Sequence, residues 1–287
     1  MVNLKRSQVA IMNIQYKFFP LTKFLDDAVK NQVQAVELWG AAPHFHPEDM
    51  TYRDIVAVRH EIERRGLKLI CYTPEQCIYP INLAAPYESE RRRSLKFFED
   101  AVRVASELGT DKVLVTAGTG YFDGSDYEEA WKYGKEGLMQ LGDLAEHYGI
   151  MLALEAWRED ESNLIGIAGR HPVKESSAEY GKRMKDELNH DHIGAMLDTC
   201  PMVLENKSPS DYLRVFGDKL IHVHFIDGTP RGHLAWGDGI LDMEGYLKQF
   251  DLYGYKHSLS LEITDGRYLM DPEKSIQQSV EKLYSII

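Results

Sequence analysis

LIHVHFID, residues 220–227, is the stretch whose reading sets the fold. Its apolar residues run almost without a break, and isoleucine, valine and phenylalanine suit a covered, pleated surface. The stretch therefore reads as a strand buried on both faces. Side chains alternate along a strand, so His222 and His224 share one face. Two histidines so placed suit a metal site, a catalytic pair or a hydrogen-bonded piece of core. Seven more stretches carry the same signal: VAIMNIQY (9–16), QAVELW (34–39), LKLICY (67–72), KVLVTAG (112–118), IMLALEAW (150–157), HIGAMLDT (192–199) and HSLSLEIT (257–264).

Segments of helical period lie between them. Pro47-Glu48-Asp49 opens one, and a second runs over 89–108 and ends at Gly109. Others are expected over 125–148, 173–188, 209–216 and 272–287. Gly66, Gly109, Gly149 and Gly254 each precede a strand, where a helix must stop and the chain reverse. Eight strands alternating with helices over 287 residues predict an α/β fold, a (β/α)8 TIM barrel forming one domain over 1–287, at roughly 36 residues per unit. A doubly wound open sheet is the competing topology. No G-x-G-x-x-G or Walker turn follows a strand, which weakens it.

The net charge of −12 speaks against a phosphate-binding nucleic-acid partner. Three cysteines, Cys71, Cys77 and Cys200, show no C-x-x-C spacing and fit a reducing compartment. The start, MVNLKRSQVA, lacks the apolar core of a signal peptide. No apolar run reaches the roughly 18 residues of a membrane span. A cytoplasmic protein with no membrane partner is expected.

In a barrel, chemistry gathers at the C-terminal ends of the strands. The fifth strand, MLALE, ends in Glu155; the sixth, GAMLD, in Asp198; the seventh carries His224; the eighth, SLSLE, ends in Glu262. Each ionisable residue directly follows apolar ones. Three carboxylates in one mouth repel unless a cation joins them. One divalent metal ion per chain resolves this; three oxygen donors and one nitrogen suit Mn²⁺, Co²⁺, Mg²⁺ or Zn²⁺, and ligand type alone does not choose among them. His224 is the better ligand of the histidine pair. His222 sits one pleat deeper, about 6.5 Å down the strand, and reads as a buried support. Asp227 is placed to add a hydrogen bond at the rim.

The set LEAWREDESN (154–163), MLDTC (196–200), HVHFIDG (222–228) and SLEIT (260–264) resembles the sugar isomerase/epimerase family of the xylose-isomerase-like TIM-barrel superfamily. VELWGAAPHFHPED (36–49) and CYTPEQCIYPINL (71–83) look most like its fructoselysine 3-epimerase branch. The resemblance implies that Glu155, Asp198, His224 and Glu262 bind one metal. It also implies that Glu161 and His233 contact substrate. Two positions depart from the ketose 3-epimerases of that family. Pro201 stands where they often carry a substrate-binding histidine, and His233 where those acting on free sugars carry an arginine. Both departures weaken the case for free monosaccharides. Trp39, His44, Tyr72 and Glu75, at the ends of the second and third strands, are further substrate-binding candidates.

The expected reaction is C3 epimerisation of a ketose or ketose-amine through an enediolate, with Glu155 and Glu262 as the acid–base pair. The alternatives within the family are a hydroxypyruvate isomerase, a pentulose-phosphate 3-epimerase and an inosose dehydratase. An endonuclease IV-like nuclease would need extra histidine and aspartate ligands, one of them near Pro201. A sugar-binding barrel without catalysis would be expected to lack one of the two glutamates. Family members are often homodimers or homotetramers.

Overall fold

Each of the eight apolar stretches forms a strand in the computed structural model, which describes residues 2–76, 80–121, 127–155, 185–204, 206–229 and 232–287. The strands are β1 (Val9–Met12), β2 (Ala35–Gly40), β3 (Lys68–Pro74), β4 (Lys112–Thr116), β5 (Met151–Glu155), β6 (Ile193–Asp198), β7 (Leu220–His224) and β8 (Ser258–Leu261). They pair in parallel and in sequence order, and β8 closes on β1, giving an eight-stranded barrel. Among the described residues the helices are α1 (Leu21–Lys30), α2 (Tyr52–Glu63), α3 (Glu88–Leu108), α4 (Tyr127–Tyr148), α5 (Thr199–Leu204), α6 (Pro209–Phe216), α7 (Met243–Leu252) and α8 (Pro272–Tyr284). The helix expected over 173–188 lies mostly outside the described residues. None of the described helices is long and apolar enough to cross a membrane.

Alternation divides the strand residues between two apolar layers. Val36, Leu152, Leu197, Val223 and Leu261 join the large layer under the helices. Ala10, Ala35, Cys71, Leu114, Ala153, Met196 and Ile221 form a small cluster inside the barrel. The small side chains among them, Ala10, Ala35, Cys71 and Ala153, leave room above them for larger polar ones. Glu37, Glu155 and Asp198 lie two residues beyond Ala35, Ala153 and Met196, so all three face the lumen.

Two register shifts adjust that parity. Val36 pairs with Leu69 and Glu37 with Cys71, so Ile70 is an extra residue on β3. Ala195 pairs with Leu220 and Met196 with His222, so Ile221 is an extra residue on β7. A bulge of one residue turns every later side chain to the other face. On β7, Leu220 faces the helices and Ile221 the lumen. Without the bulge His222 and His224 would face outward; with it both point in.

The strands are shorter than the apolar runs because side chains replace the ladder at their ends. After β1 the chain turns into a 3-10 helix, Asn13–Tyr16. Asn13 Oδ1 accepts from the Trp39 amide at 2.6 Å, and its Nδ2 donates to the Trp39 carbonyl at 3.3 Å. Beyond β6, the Thr199 hydroxyl donates to the Ile226 carbonyl at 2.7 Å and accepts from the Ile226 amide at 3.0 Å. These ties hold neighbouring strand ends level, which is what brings their last side chains to one height.

Candidate metal centre at the barrel mouth

Glu155, Asp198 and His224 are the last residues of β5, β6 and β7, and Glu262 follows β8 directly. All of the first three are buried, and one ligand atom from each lies within 4.8 Å of the other two. Glu262 Oε2 comes within 3.0 Å of His224 Nδ1. The structure thus brings together all four residues read from the strand ends. Asp198 is held through Oδ1, which accepts the Cys200 amide at 2.8 Å, leaving Oδ2 toward the mouth.

His233 joins this group. Its Nδ1 lies 3.1 Å from Glu262 Oε2 and its Nε2 3.6 Å from Asp198 Oδ2, so it spans two of the carboxylates. The loop that carries it is built around Asp227. That buried carboxylate accepts four backbone N–H groups: Gly228 at 2.8 Å and Leu241 at 3.0 Å on Oδ1, Gly237 and Gly239 at 2.9 Å on Oδ2. Asp227 also pairs with Leu234 in an antiparallel bridge. A carboxylate saturated by backbone donors fixes a loop more firmly than a rim hydrogen bond would. The loop's last turn needs glycine: a Cβ on Gly239 would fall 2.2 Å from Asp227 Oδ1.

One member of the site was not singled out in the sequence. Glu37 on β2 is fully buried. Its Oε2 accepts from His222 Nε2 at 3.0 Å and its Oε1 from His224 Nε2 at 3.2 Å and from the Thr73 hydroxyl. The available signal was the residue itself: an acid flanked by apolar residues in AVELW, which a buried strand tolerates only with partners.

The charges are strongly interdependent. Burial, then the neighbouring Glu262 and Asp198, push the Glu155 carboxyl up to about 8 against the pull of His224 and His233. Burial and Glu262 raise Asp198 as well. Burial would raise Glu262 too, but the His224 and His233 rings overcome it and hold it well below the usual range. Burial opposes charge on His233, yet Asp198 and Glu262 raise it to about 9. His224 is likewise carried above its ordinary value by Glu262 and Glu37 despite burial. Burial keeps His222 low and so neutral.

These residues fit a divalent cation. Three carboxylates and one imidazole are a hard, mixed oxygen–nitrogen donor set. His224 Nδ1 is buried without a hydrogen-bond partner although a carboxylate oxygen lies 3.0 Å away, an arrangement that suits a ligand atom.

The other sequence candidates stand apart from this cluster. The Trp39 indole donates to Glu75 Oε2 at 2.7 Å at the β2–β3 edge. Both ring nitrogens of His44 are engaged, Nδ1 with Asn13 Nδ2 at 2.9 Å and Nε2 with the Phe19 carbonyl at 2.7 Å. Tyr72 faces the helical layer, edge-on to Phe45 at 5.6 Å and packed over Gly40. It lies beyond the Ile70 bulge, which turns Cys71 inward and Tyr72 outward. The structure does not bring Tyr72 to the mouth. Glu161, Asn163, Arg158 and Arg231 lie outside the described residues.

Comparison with known proteins agrees with this architecture. The chain is 25% identical over 271 residues to fructoselysine 3-epimerase of Shigella flexneri, covering 93% of this chain and 94% of that one. It is 26% identical over 172 residues to L-ribulose 3-epimerase of Mesorhizobium japonicum, covering 59% and 54%. A crystal structure of D-psicose 3-epimerase superposes with a TM-score of 0.76 at 16% identity over 97% of both chains. That of 3-keto-D-glucoside 4-epimerase from E. coli does so with a TM-score of 0.76 at 19% identity over 97% and 99%. The sequence profile described as "Xylose isomerase-like TIM barrel" matches residues 25–286, and the chain belongs to that family.

Proposed function

We propose that the protein is a divalent-metal-dependent sugar isomerase acting as a 3-epimerase on a ketose or a ketose-amine of the fructoselysine type. The observation that carries this reading is the convergence of Glu155, Asp198, His224 and Glu262 on one small volume. When bound there, a divalent cation such as Mn²⁺ would polarise the substrate carbonyl and the adjacent hydroxyl and draw nearby carboxyls toward ionisation.

The chain's own residues supply the proton transfers. Glu155 and Glu262 reach the mouth from β5 and β8. An epimerisation by two groups needs one carboxylate to take the C3 proton and one carboxylic acid to return a proton to the other face. Burial favours the protonated form of Glu155, whereas the imidazole rings favour ionised Glu262. Glu155 and Glu262 together are the pair proposed for these two roles. We read His233, which bridges Asp198 and Glu262, as a contact for a substrate hydroxyl, with Glu161 as a second. Trp39, His44 and Glu75 are further proposed contacts at the rim.

The test is a panel of ketoses, ketose phosphates and fructosamines, each incubated with the protein and Mn²⁺ and followed by NMR. Inversion at C3 of one substrate supports the reading. Conversion between aldose and ketose, or dehydration, would replace it with another reaction of the family.

A further inference from the structure

We propose that Glu37 is a positioning residue that selects which nitrogen of His224 faces the mouth, with His222 as its buttress. The role rests on the reading of the mouth as a metal centre. Glu37 and His222 are each 0% exposed, and His224 is 1% exposed. The Glu37 carboxylate takes Nε2 of His224 on one oxygen at 3.2 Å and Nε2 of His222 on the other at 3.0 Å. The Thr73 hydroxyl donates to the first oxygen as well.

An ionised carboxylate has only acceptors to offer. Both histidines must therefore present Nε2–H to it. For His224 that leaves Nδ1 as the nitrogen free for another partner. Nδ1 is the atom turned toward Glu262, and it is buried without a hydrogen bond. A carboxylate behind a ligating imidazole fixes its tautomer and its ring plane. Here one carboxylate serves two imidazoles stacked along β7, their rings 5.2 Å apart and nearly perpendicular. Swinging Glu37 away would break both contacts at once, so His222 holds Glu37 in place. Two bulges make the arrangement reachable: the one at Ile221 turns both histidines inward, and the one at Ile70 adjusts the strand paired to β2 at Glu37.

Glu37→Gln tests this without any sugar. The amide keeps the shape but can accept from only one histidine, and its NH2 confronts the other Nε2. Calorimetric titration with Mn²⁺ should show affinity weakened about 10- to 100-fold, with an unchanged far-UV circular dichroism spectrum. In wild-type protein labelled with ¹⁵N-histidine and loaded with diamagnetic Zn²⁺, His222 and His224 should both carry their proton on Nε2. Mn²⁺ affinity of Glu37→Gln within twofold of wild type would overturn the role, as would wild-type His224 protonated on Nδ1. If the variant fails to fold, the wild-type spectrum alone decides. A wild-type protein that binds no divalent ion would overturn the metal centre and this role together. One that binds Mn²⁺ through Nδ1 but epimerises nothing would overturn only the proposed reaction.

Discussion

Glu155 and Glu262 are the same kind of acid in opposite settings. Glu155 is buried among carboxylates and pushed up to about 8, while Glu262 lies between two imidazole rings and is held low. Replacing either by glutamine keeps a carbonyl oxygen in place and removes the group proposed to carry the proton. Each variant is expected to lose about 10²- to 10⁴-fold in turnover, measured on the substrate that the panel identifies. A Gln variant at near-normal rate would remove that residue from the acid–base pair. The two histidines of β7 should separate in a different way. His224→Ala deletes a proposed ligand and should abolish Mn²⁺ binding in a titration. His222→Ala leaves a Glu37 oxygen buried without its donor and should cost about 2–3 kcal/mol in urea denaturation. If the two alanines weaken metal and stability alike, the distinction between ligand and support is wrong.

At the scale of elements, single extra residues decide which side chains enter the barrel. Without the bulge at Ile221, both histidines of β7 would lie under the helices. The bulge at Ile70 does the reverse for Tyr72, which would otherwise point inward. Strict alternation cannot detect such a residue, so the outward turn of Tyr72 is not legible in the sequence. The loop after β7 is organised as tightly as a strand, by four backbone N–H groups on Asp227. Gly239→Ala puts a methyl group 2.2 Å from Asp227 Oδ1 and should lower stability by about 1–3 kcal/mol. Because the loop carries His233, KM should also rise in that variant. Thermal unfolding and steady-state kinetics check both, and an unchanged midpoint would show that the loop can relax around the methyl.

Across the whole molecule, the barrel's closure is what turns distant residues into one site. The eight strands are legible in sequence because parallel strands covered on both faces read as continuous apolar runs. The four strand-end candidates are legible because each ionisable residue directly follows such a run. Glu37 is not, since its partners lie 185 and 187 residues away and meet it only across the closed lumen. Nor does sequence reveal that His233 reaches both the Asp198 and Glu262 carboxylates, because the Asp227-centred loop that delivers it is a backbone feature. The pooled charge gives a further expectation. In the metal-free protein Glu155 is raised from 4.5 to about 8 and His233 from 6.5 to about 9. A raised group adds stability that is full below its unfolded value and is lost as pH rises through its folded value. Metal-free stability should therefore fall between about pH 5 and 9 through these groups, and a cation replaces their protons. The rise in Tm caused by Mn²⁺ should grow over the same range; a shift independent of pH would mean that the cation binds elsewhere. The most direct test of the reaction is where solvent hydrogen enters. The substrate found by the panel is incubated with the protein in D2O, with Mn²⁺ or with EDTA, and product and recovered substrate are read by NMR. The expected result is deuterium at C3, with Mn²⁺ and not with EDTA. Deuterium at C1 or C2 alone, or label at C3 that survives removal of the metal, would contradict it.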